Sequence, residues 1–376
     1  MTRTGGEHGQ GGFRRVKYGM LKPEALAEEL RFLLARSPAS PGLPIEVDLI
    51  ANPAAGGFTR PAYARRRAAE LASLRAMAGI LPLREAPVAV RLHLTDRAGH
   101  AAELARSVVG EARTAGYPPA LRILMTAGGD GTALEAISDL MELPEAERSR
   151  WLVLRLPLGT GNDGSEGRDL GTALGRFLGP CSVEPRAALR VTPNPAGGKA
   201  PLWSFNIASV GVDAFTCEMT NRLKTRFPGD SYKLMLDLAA VIYDRIWISR
   251  PLRISAEDAA GANRRESESS CLLLAMGISG NRQYGSNKRI LPGRENVCLV
   301  PRMSLWRKLL IKGPLSAGRH ADFPEVSLFS AARLVLDYPG PLLFQADGEV
   351  TRMEAGDFPL AMEVVPAAYA VLGPAS

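Results

Sequence analysis

The sequence predicts an α/β plus β protein: an N-terminal parallel α/β domain followed by a β-rich sandwich. Two observations carry this. From Ile45 to Leu156, apolar strand-like runs alternate with helix-like stretches, which implies a parallel sheet with right-handed crossovers. After about Gly171 short apolar runs separated by Pro- and Gly-rich turns dominate, the texture of an antiparallel sandwich or barrel. A chain of 376 residues has room for two such cores.

The elements follow in order. Residues 1 to about 20 are glycine-rich and basic, a composition that does not pack, and Leu21 to Arg36 has the leucine spacing of a helix. Ser37 to Leu43 is a linker. Strand Ile45–Ile50 ends at Asn52-Pro53-Ala54-Ala55-Gly56-Gly57 and is followed by a basic helix, Pro61–Met77. Strand Val88–Leu94 ends at Thr95, and Ala98–Thr114 is its helix. Strand Leu121–Met125 runs into Gly128-Gly129-Asp130-Gly131-Thr132, then a helix in which Thr132 and Glu135 have capping-box spacing. Strand Leu152–Leu156 ends at Pro157-Leu158-Gly159-Thr160-Gly161-Asn162-Asp163. In the second half, strands are expected at Ala187–Thr192, Trp203–Val210, Leu252–Ala256, Ser270–Ile278, Val297–Val300, Arg333–Leu336, Leu342–Gln345 and Leu360–Val365. A helix at Tyr232–Trp247 and an exposed polar loop at Glu257–Glu268 interrupt them.

The strand ends carry the chemistry. In an open parallel sheet ligands bind beyond the carboxyl ends of the strands, and here three of four ends combine Gly with Asn or Asp, the fourth carrying Thr95. Glycine turns opening helix N-termini suit phosphate. Asp130 in such a turn would repel phosphate unless a cation lies between, which points to a nucleotide with Mg2+. There is no GxxxxGK[ST] run, so backbone N–H groups and the metal must carry the phosphate charge.

Composition excludes several classes. The net charge of +7, from 46 Lys and Arg against 39 Asp and Glu, suits anionic substrates or a membrane surface and is too dispersed for nucleic acid. Four isolated cysteines and four scattered histidines give no zinc pattern and fit a reduced, cytoplasmic setting. No run approaches a membrane span, and the N-terminus lacks the apolar core of a signal peptide.

Taken together, Asn52-Pro53-x-x-Gly56, Gly128-Gly129-Asp130-Gly131-Thr132, Pro157 to Asp163 and Asp347-Gly348-Glu349, in that order, resemble the diacylglycerol kinase catalytic domain family, which includes bacterial diacylglycerol kinase-like proteins and sphingosine and ceramide kinases. Thr95 before GHAAELA, Ala208 to Asp213 and Gly280 to Gly285 add to the likeness, which spans roughly Ile45 to Leu372. The resemblance implies an NAD kinase/diacylglycerol kinase-like fold. Residues 1–44 are then an extension, 45–171 an ATP-binding domain rejoined by 355–376, and 172–354 a lipid-substrate domain. It implies that Asn52, Pro53, Gly56 and Thr95 lie along ATP. Gly128, Gly129, Gly131, Thr132 and Glu135 belong to the phosphate turn, and Gly159, Thr160, Asn162 and Asp163 close the site. Asp130, Asp347 and Glu349 are the implied catalytic carboxylates, with Asp130 and Glu349 on Mg2+. An ATP-dependent lipid kinase at a membrane surface, peripherally bound and open to homodimerisation, is the expectation. An NAD kinase-like enzyme and a pseudokinase with a regulatory role are the alternatives.

The chain departs from that pattern in three places. Gly164 stands where the family usually has an aromatic, so the following helix is expected to start late. Leu291 to Val297 lacks the Asp residues that hold a structural Mg2+ in many bacterial members, so no second metal is expected there. The stretch before Ile45 has no counterpart. Two apolar sets suit lipid: Leu234, Met235, Leu238, Val241 and Ile242 for an acyl pocket or plain core, and Met303 to Lys312, which interleaves Trp306, Leu309, Leu310 and Ile311 with basic residues, for an interfacial or an ordinary packed helix.

Overall fold

The computed structural model of the chain describes residues 19–159, 162, 164–224, 243, 250–261, 264–284 and 288–374. The basic N-terminal stretch, Thr160, Gly161, Asp163, Gly285, most of the expected helix Tyr232–Trp247 and the acyl-pocket set Leu234 to Ile242 lie outside the described residues.

The first half is built as its periodicity requires. Helix α1 (Pro23–Leu34) turns Leu26, Leu30, Leu33 and Leu34 inward, each wholly buried or nearly so. Strands β1 (Ile45–Ala51), β2 (Val88–Leu94), β3 (Leu121–Gly128) and β4 (Trp151–Pro157) pair in the parallel order β2-β1-β3-β4. Between them run α2 (Gly56–Thr59), α3 (Pro61–Gly79), α4 (His100–Thr114), α5 (Asp130–Met141) and α6 (Glu145–Arg148). The register levels the strand ends: Ala51 pairs with Leu94 and Ala127, and Gly128 with Pro157. Asn52, Thr95, Gly128 and Pro157 therefore emerge on one rim. Helix α5 packs Ala136, Ile137 and Leu140 into a core with Val109, Trp151 and Val153. Burying such aliphatic side chains stabilises by roughly 1.5–3 kcal/mol each, so truncation of Ile137 or Leu140 would loosen the helix that opens the phosphate-suited turn.

Helix α7 (Leu170–Gly175) starts late, as the glycines at 164 and 167 lead one to expect; its N-cap is Asp169, whose carboxylate accepts from Thr172 N at 2.7 Å.

The second half differs from expectation in its long elements. It comprises β5 (Cys181–Thr192), β6 (Leu202–Ser204), β7 (Ile207–Gly211), α8 (Val212–Lys224), β8 (Leu252–Glu257), β9 (Arg264–Ser269), β10 (Cys271–Gly277), β11 (Arg282–Tyr284), β12 (Lys288–Leu291), β13 (Val297–Pro301), α9 (Leu305–Ala317), β14 (Ser327–Phe329), β15 (Arg333–Asp337), β16 (Leu342–Ala346), β17 (Glu349–Met353) and β18 (Leu360–Pro374). The run Trp203–Val210 splits into β6 and β7 around Phe205–Asn206. The polar loop Glu257–Glu268 contains an exposed strand, because β8 and β9 pair from Leu252↔Ser269 to Glu257↔Arg264. Strands β14, β13, β10, β7, β16 and β17 form an antiparallel six-stranded sheet in that order.

Strand β18 joins the halves. Its 15 residues pair antiparallel with β15 at Leu360–Glu363, parallel with β4 at Ala370–Val371, and with β5 along most of their length. The parallel sheet thus continues through β18 into β15, β8 and β9 as one ten-stranded sheet. The fold is a parallel α/β domain with antiparallel β-rich sheets.

Candidate active site

The rim of the parallel sheet is glycine packed on backbone. A Cβ at Gly159 would stand 2.4 Å from Gly129 Cα, one at Gly128 2.6 Å from Thr132 Oγ1, and one at Gly57 2.9 Å from Leu158 O. Gly57 N donates to Leu158 O at 2.8 Å, tying the β1 end to the β4 end, and Asn52 N donates to Ala127 O at 2.9 Å, tying it to β3. The Asn52 side chain holds its own turn, accepting from Ala54 N at 2.9 Å, and its Nδ2 reaches Thr132 Oγ1 at 3.5 Å. Beyond β4, Asn162 adopts a left-handed conformation (φ 57°) and closes the turn on itself, accepting from Gly159 N at 2.7 Å and donating to Gly159 O at 2.8 Å. Asn52, Pro53, Gly56, Thr95, Gly128, Gly129, Gly131, Thr132, Gly159 and Asn162 are thereby gathered on one rim.

Two details of the turn differ from the sequence reading. The N-cap of α5 is Gly129, with no side-chain cap, so Thr132 and Glu135 make no capping box. Glu135 instead accepts from Gly99 N at 2.9 Å, holding the N-terminus of α4. Asp130 is the first residue of α5, and Gly164 N donates to its Oδ1 at 3.4 Å.

The facing wall comes from the antiparallel sheet. Asp347 and Gly348 form a two-residue hairpin turn between β16 and β17, both with positive φ (49° and 94°), the geometry for which Asp-Gly is suited. The Asp347 carboxylate points into the β6–β7 turn. Its Oδ1 accepts from Ser204 Oγ (2.7 Å), Asn206 N (3.0 Å) and Ile207 N (3.1 Å), and its Oδ2 from Phe205 N (2.6 Å). Burial pushes its pKa up, and these donors and Arg155 only partly offset that. The turn is held from behind by Gln345, fully buried, which accepts from Gly348 N at 2.8 Å and donates to Ser209 Oγ at 2.7 Å and Asp213 Oδ2 at 3.1 Å. Glu349 leaves the turn the other way: its Oε1 lies 2.6 Å from where a Cβ on Gly131 would be. The glycine at 131 is what lets a carboxylate of the β-rich wall reach the phosphate-suited turn.

Between the walls lies a small cavity lined by Asp130, Leu134, Arg155, Gly164, Asn206 and Asp347. Arg155, missed in the sequence, donates from Nε and Nη2 to Glu166 Oε1 at 3.4 and 3.1 Å. Burial works against its charge, but Tyr369, Glu166 and Asp347 more than offset it, so its pKa is raised and it remains a guanidinium. Its Nη1 fills the space a side chain at 164 would take, 2.7 Å from the would-be Cβ. The glycine that departs from the family pattern therefore makes room for an arginine. The available signal was a charge inside the apolar run Leu152–Leu156 together with Gly164. Of the run that begins at Gly280, Gln283 touches this region: Asn206 Nδ2 donates to Gln283 O at 2.9 Å. In Leu291–Val297, Asn296 is buried and bonds Gly277 O and the backbone of Ala331. Among the described residues no three His, Cys, Asp or Glu side chains gather as a metal-ligating group, and no helix is long and apolar enough to cross a membrane.

Comparison with known proteins agrees with this geometry. Two solved structures from Bacillus anthracis str. Sterne, each described as a "putative diacylglycerol kinase", superpose with TM-scores of 0.56 and 0.53 at 17% and 16% identity, each over 87% of this chain and 96% of theirs. At that identity the likeness is one of fold. No curated protein matches the chain. The diacylglycerol kinase catalytic domain family matches residues 47–176, which hold most of β1, all of β2 to β4 and the glycine rim. Over that segment the parallel half of this chain is similar to the diacylglycerol kinase catalytic domain family.

Proposed function

We propose that the chain is an ATP-dependent lipid kinase that moves the terminal phosphoryl group of ATP to a hydroxyl of a diacylglycerol- or sphingoid-type lipid. The observation that carries the reading is the contact of Glu349 with Gly131, which brings a carboxylate from the β-rich wall onto the glycine turn that opens with Asp130. Phosphoryl transfer to an alcohol needs positioned phosphates, a cation on their oxygens and a group to take the hydroxyl proton. In this reading the backbone N–H groups of Gly129 to Thr132 and the N-terminus of α5 receive the phosphates. Asn52, Pro53, Gly56 and Thr95 flank the nucleotide, and Gly159, Thr160, Asn162 and Asp163 close over it. Glu135 keeps the neighbouring helix in place through Gly99.

The donors suit Mg2+, which takes one or two carboxylates and completes its shell with phosphate oxygens and water. Asp130 would hold it from the phosphate side, and it would neutralise charge on the β and γ oxygens, which leaves the Glu349 carboxylate available as a proton acceptor. Asp130 belongs to the phosphate side. Glu349 arrives from the acceptor side and takes the hydroxyl proton. Asp347, whose two oxygens already accept four donors, positions the turn that aims Glu349 and takes no proton itself.

The test is labelled-ATP transfer to diacylglycerols, sphingoid bases, ceramides and NAD+. Transfer to a lipid is expected, with Glu349→Gln lowering turnover on the order of 10²–10⁴ at nearly unchanged ATP affinity and Asp130→Asn abolishing transfer while leaving the fold intact. ATP binding with transfer to none of the lipids would overturn the reading.

A further inference from the structure

Helix α9 packs the wrong way round for a helix that serves only its own domain. An amphipathic surface helix turns its apolar side chains inward and its charges outward. Here Ile311 is 2% exposed and Lys308 only 8%, while Trp306 is 77% exposed, Leu310 61%, Leu309 48% and Leu305 45%. The four outward residues occupy adjacent positions on two successive turns, so they form one ridge. Water-exposed apolar residues scattered singly need no account, but a contiguous ridge on one helix marks a contact surface.

The helix and its immediate flanks carry charge of one sign, and Glu325, which packs against the helix, is paired with Arg307. Residues 302 to 319 include five basic residues and no acidic one. Arg307 is taken up by Glu325, at 2.6 and 3.0 Å, and Lys308 is turned inward. Arg302 and Arg319 stand exposed before and after the helix, and Arg289, also exposed, lies against Gly318 where the helix ends. Asp322 is the acidic residue nearest that end in sequence. A tryptophan and leucines projecting from a basic rim fit the headgroup and upper acyl region of an anionic bilayer.

We propose that α9 is the element by which the protein docks on an anionic lipid surface, with Trp306, Leu309 and Leu310 inserted and Arg289, Arg302 and Arg319 against the headgroups. The docking stands on this surface alone; its consequence for turnover rests on the lipid-kinase reading, since a docked enzyme meets its acceptor in the membrane. The other prominent apolar cluster, Met77, Ile80 and Leu83 at the end of α3 and just beyond it, lies beside both Arg84 and Glu85 in sequence and has no one-signed rim. Ile80, 87% exposed, therefore supplies the control.

The full chain is tested for co-sedimentation with vesicles of phosphatidylcholine alone and of phosphatidylcholine with phosphatidylglycerol. Binding is expected only to the anionic vesicles and to weaken with salt. Trp306→Ala and the double variant Leu309→Ser with Leu310→Ser should each weaken it on the order of tenfold or more, with unchanged thermal unfolding, while Ile80→Ser binds as the unsubstituted chain does. Variants that bind normally, or equal binding to neutral vesicles, overturn the proposal. So does a chain that binds neither vesicle but forms a dimer that Leu310→Ser dissociates, since the ridge is then a self-contact. Kinase assays separate the two readings. Ridge variants should lose turnover on acceptor in vesicles and keep it on acceptor in neutral detergent micelles. Vesicle binding without phosphorylation of any lipid would remove the kinase reading and leave the docking in place.

Discussion

The two walls of the cleft are made by opposite means. On the parallel-strand wall the working surface is backbone from which side chains have been removed: Gly57, Gly128 and Gly159 each sit where a single added carbon would meet a neighbour at 2.9 Å or less. On the antiparallel wall the surface is a side chain whose polar atoms are all spoken for, Asp347 with four donors and Gln345 behind it with three contacts. The first wall is precise because nothing more fits, and the second because nothing can be withdrawn. The contrast follows from what each is placed to do. Phosphate is held by N–H groups that need close approach, whereas a carboxylate such as Glu349 must be aimed, which needs a rigid turn beneath it.

The largest effect should come from adding an atom to the first wall. In Gly159→Ala the new methyl would stand 2.4 Å from Gly129 Cα, backbone against backbone, so one strand end must move. A loss of about 3 kcal/mol is expected, at the upper end of overpacking penalties, with ATP binding abolished. The reciprocal change discriminates. In Gly129→Ala the methyl would have a single neighbour, Gly159 Cα at 3.9 Å, so that variant should fold with near-normal stability. Thermal unfolding of both decides it, and equal losses would show that the rim is not held by that contact.

Withdrawing an acceptor from the second wall should do less. Asp347→Asn keeps the shape. Its amide oxygen can take the position that accepts three donors, which leaves the NH2 facing Phe205 N–H across what is now a 2.6 Å contact between donors. One buried donor left without an acceptor costs about 1–3 kcal/mol. Turnover should fall while ATP affinity holds, because Glu349 loses its aim and the glycine rim is untouched. A fall in ATP affinity larger than the fall in turnover would mean that the walls are not separable.

How much of this was legible in the sequence follows the same division. The parallel wall could be read nearly whole, since each strand, glycine turn and helix is contiguous, and the residues that touch at the rim announce themselves as glycine with Asn or Asp. The antiparallel wall could not. Asp347 meets Ser204 to Ile207 from more than 130 residues away, and no local pattern marks that meeting. Helix α8 went unread because β7 enters it directly at Gly211, whose φ of 99° makes the corner. Strand β18 was read as six residues because its apolar alternation breaks between Val365 and Tyr369, where its pairing with β5 also shifts register. The capping box was misplaced because Gly129, with no side chain to show its role, is the N-cap.

The smallest effect should come from a charge of the parallel half that faces away from the rim, and it tests whether that half is stabilised independently of its site. Asp48 on β1 is 1% exposed and takes Arg91 at 2.8 and 2.7 Å and His93 at 2.9 Å from the neighbouring strand. Burial favours its neutral form, but Arg91 and His93 together outweigh that and hold its pKa below the ordinary 3.8. A carboxyl whose pKa is lowered by folding adds stability that is fully present above its unfolded pKa and is lost as pH falls through its folded one. Arg91 is 44% exposed, so solvent screens the pair and Asp48→Asn should cost only about 1 kcal/mol at neutral pH. That difference should stay level from about pH 8 to pH 5 and shrink below about pH 4, with ATP binding unaltered throughout. Paired denaturant unfolding curves across that range settle it. A difference that persists unchanged to pH 2.5 would mean that the Asp48 carboxylate gains nothing from Arg91 and His93, and that β1 and β2 are held by their ladder and apolar contacts alone.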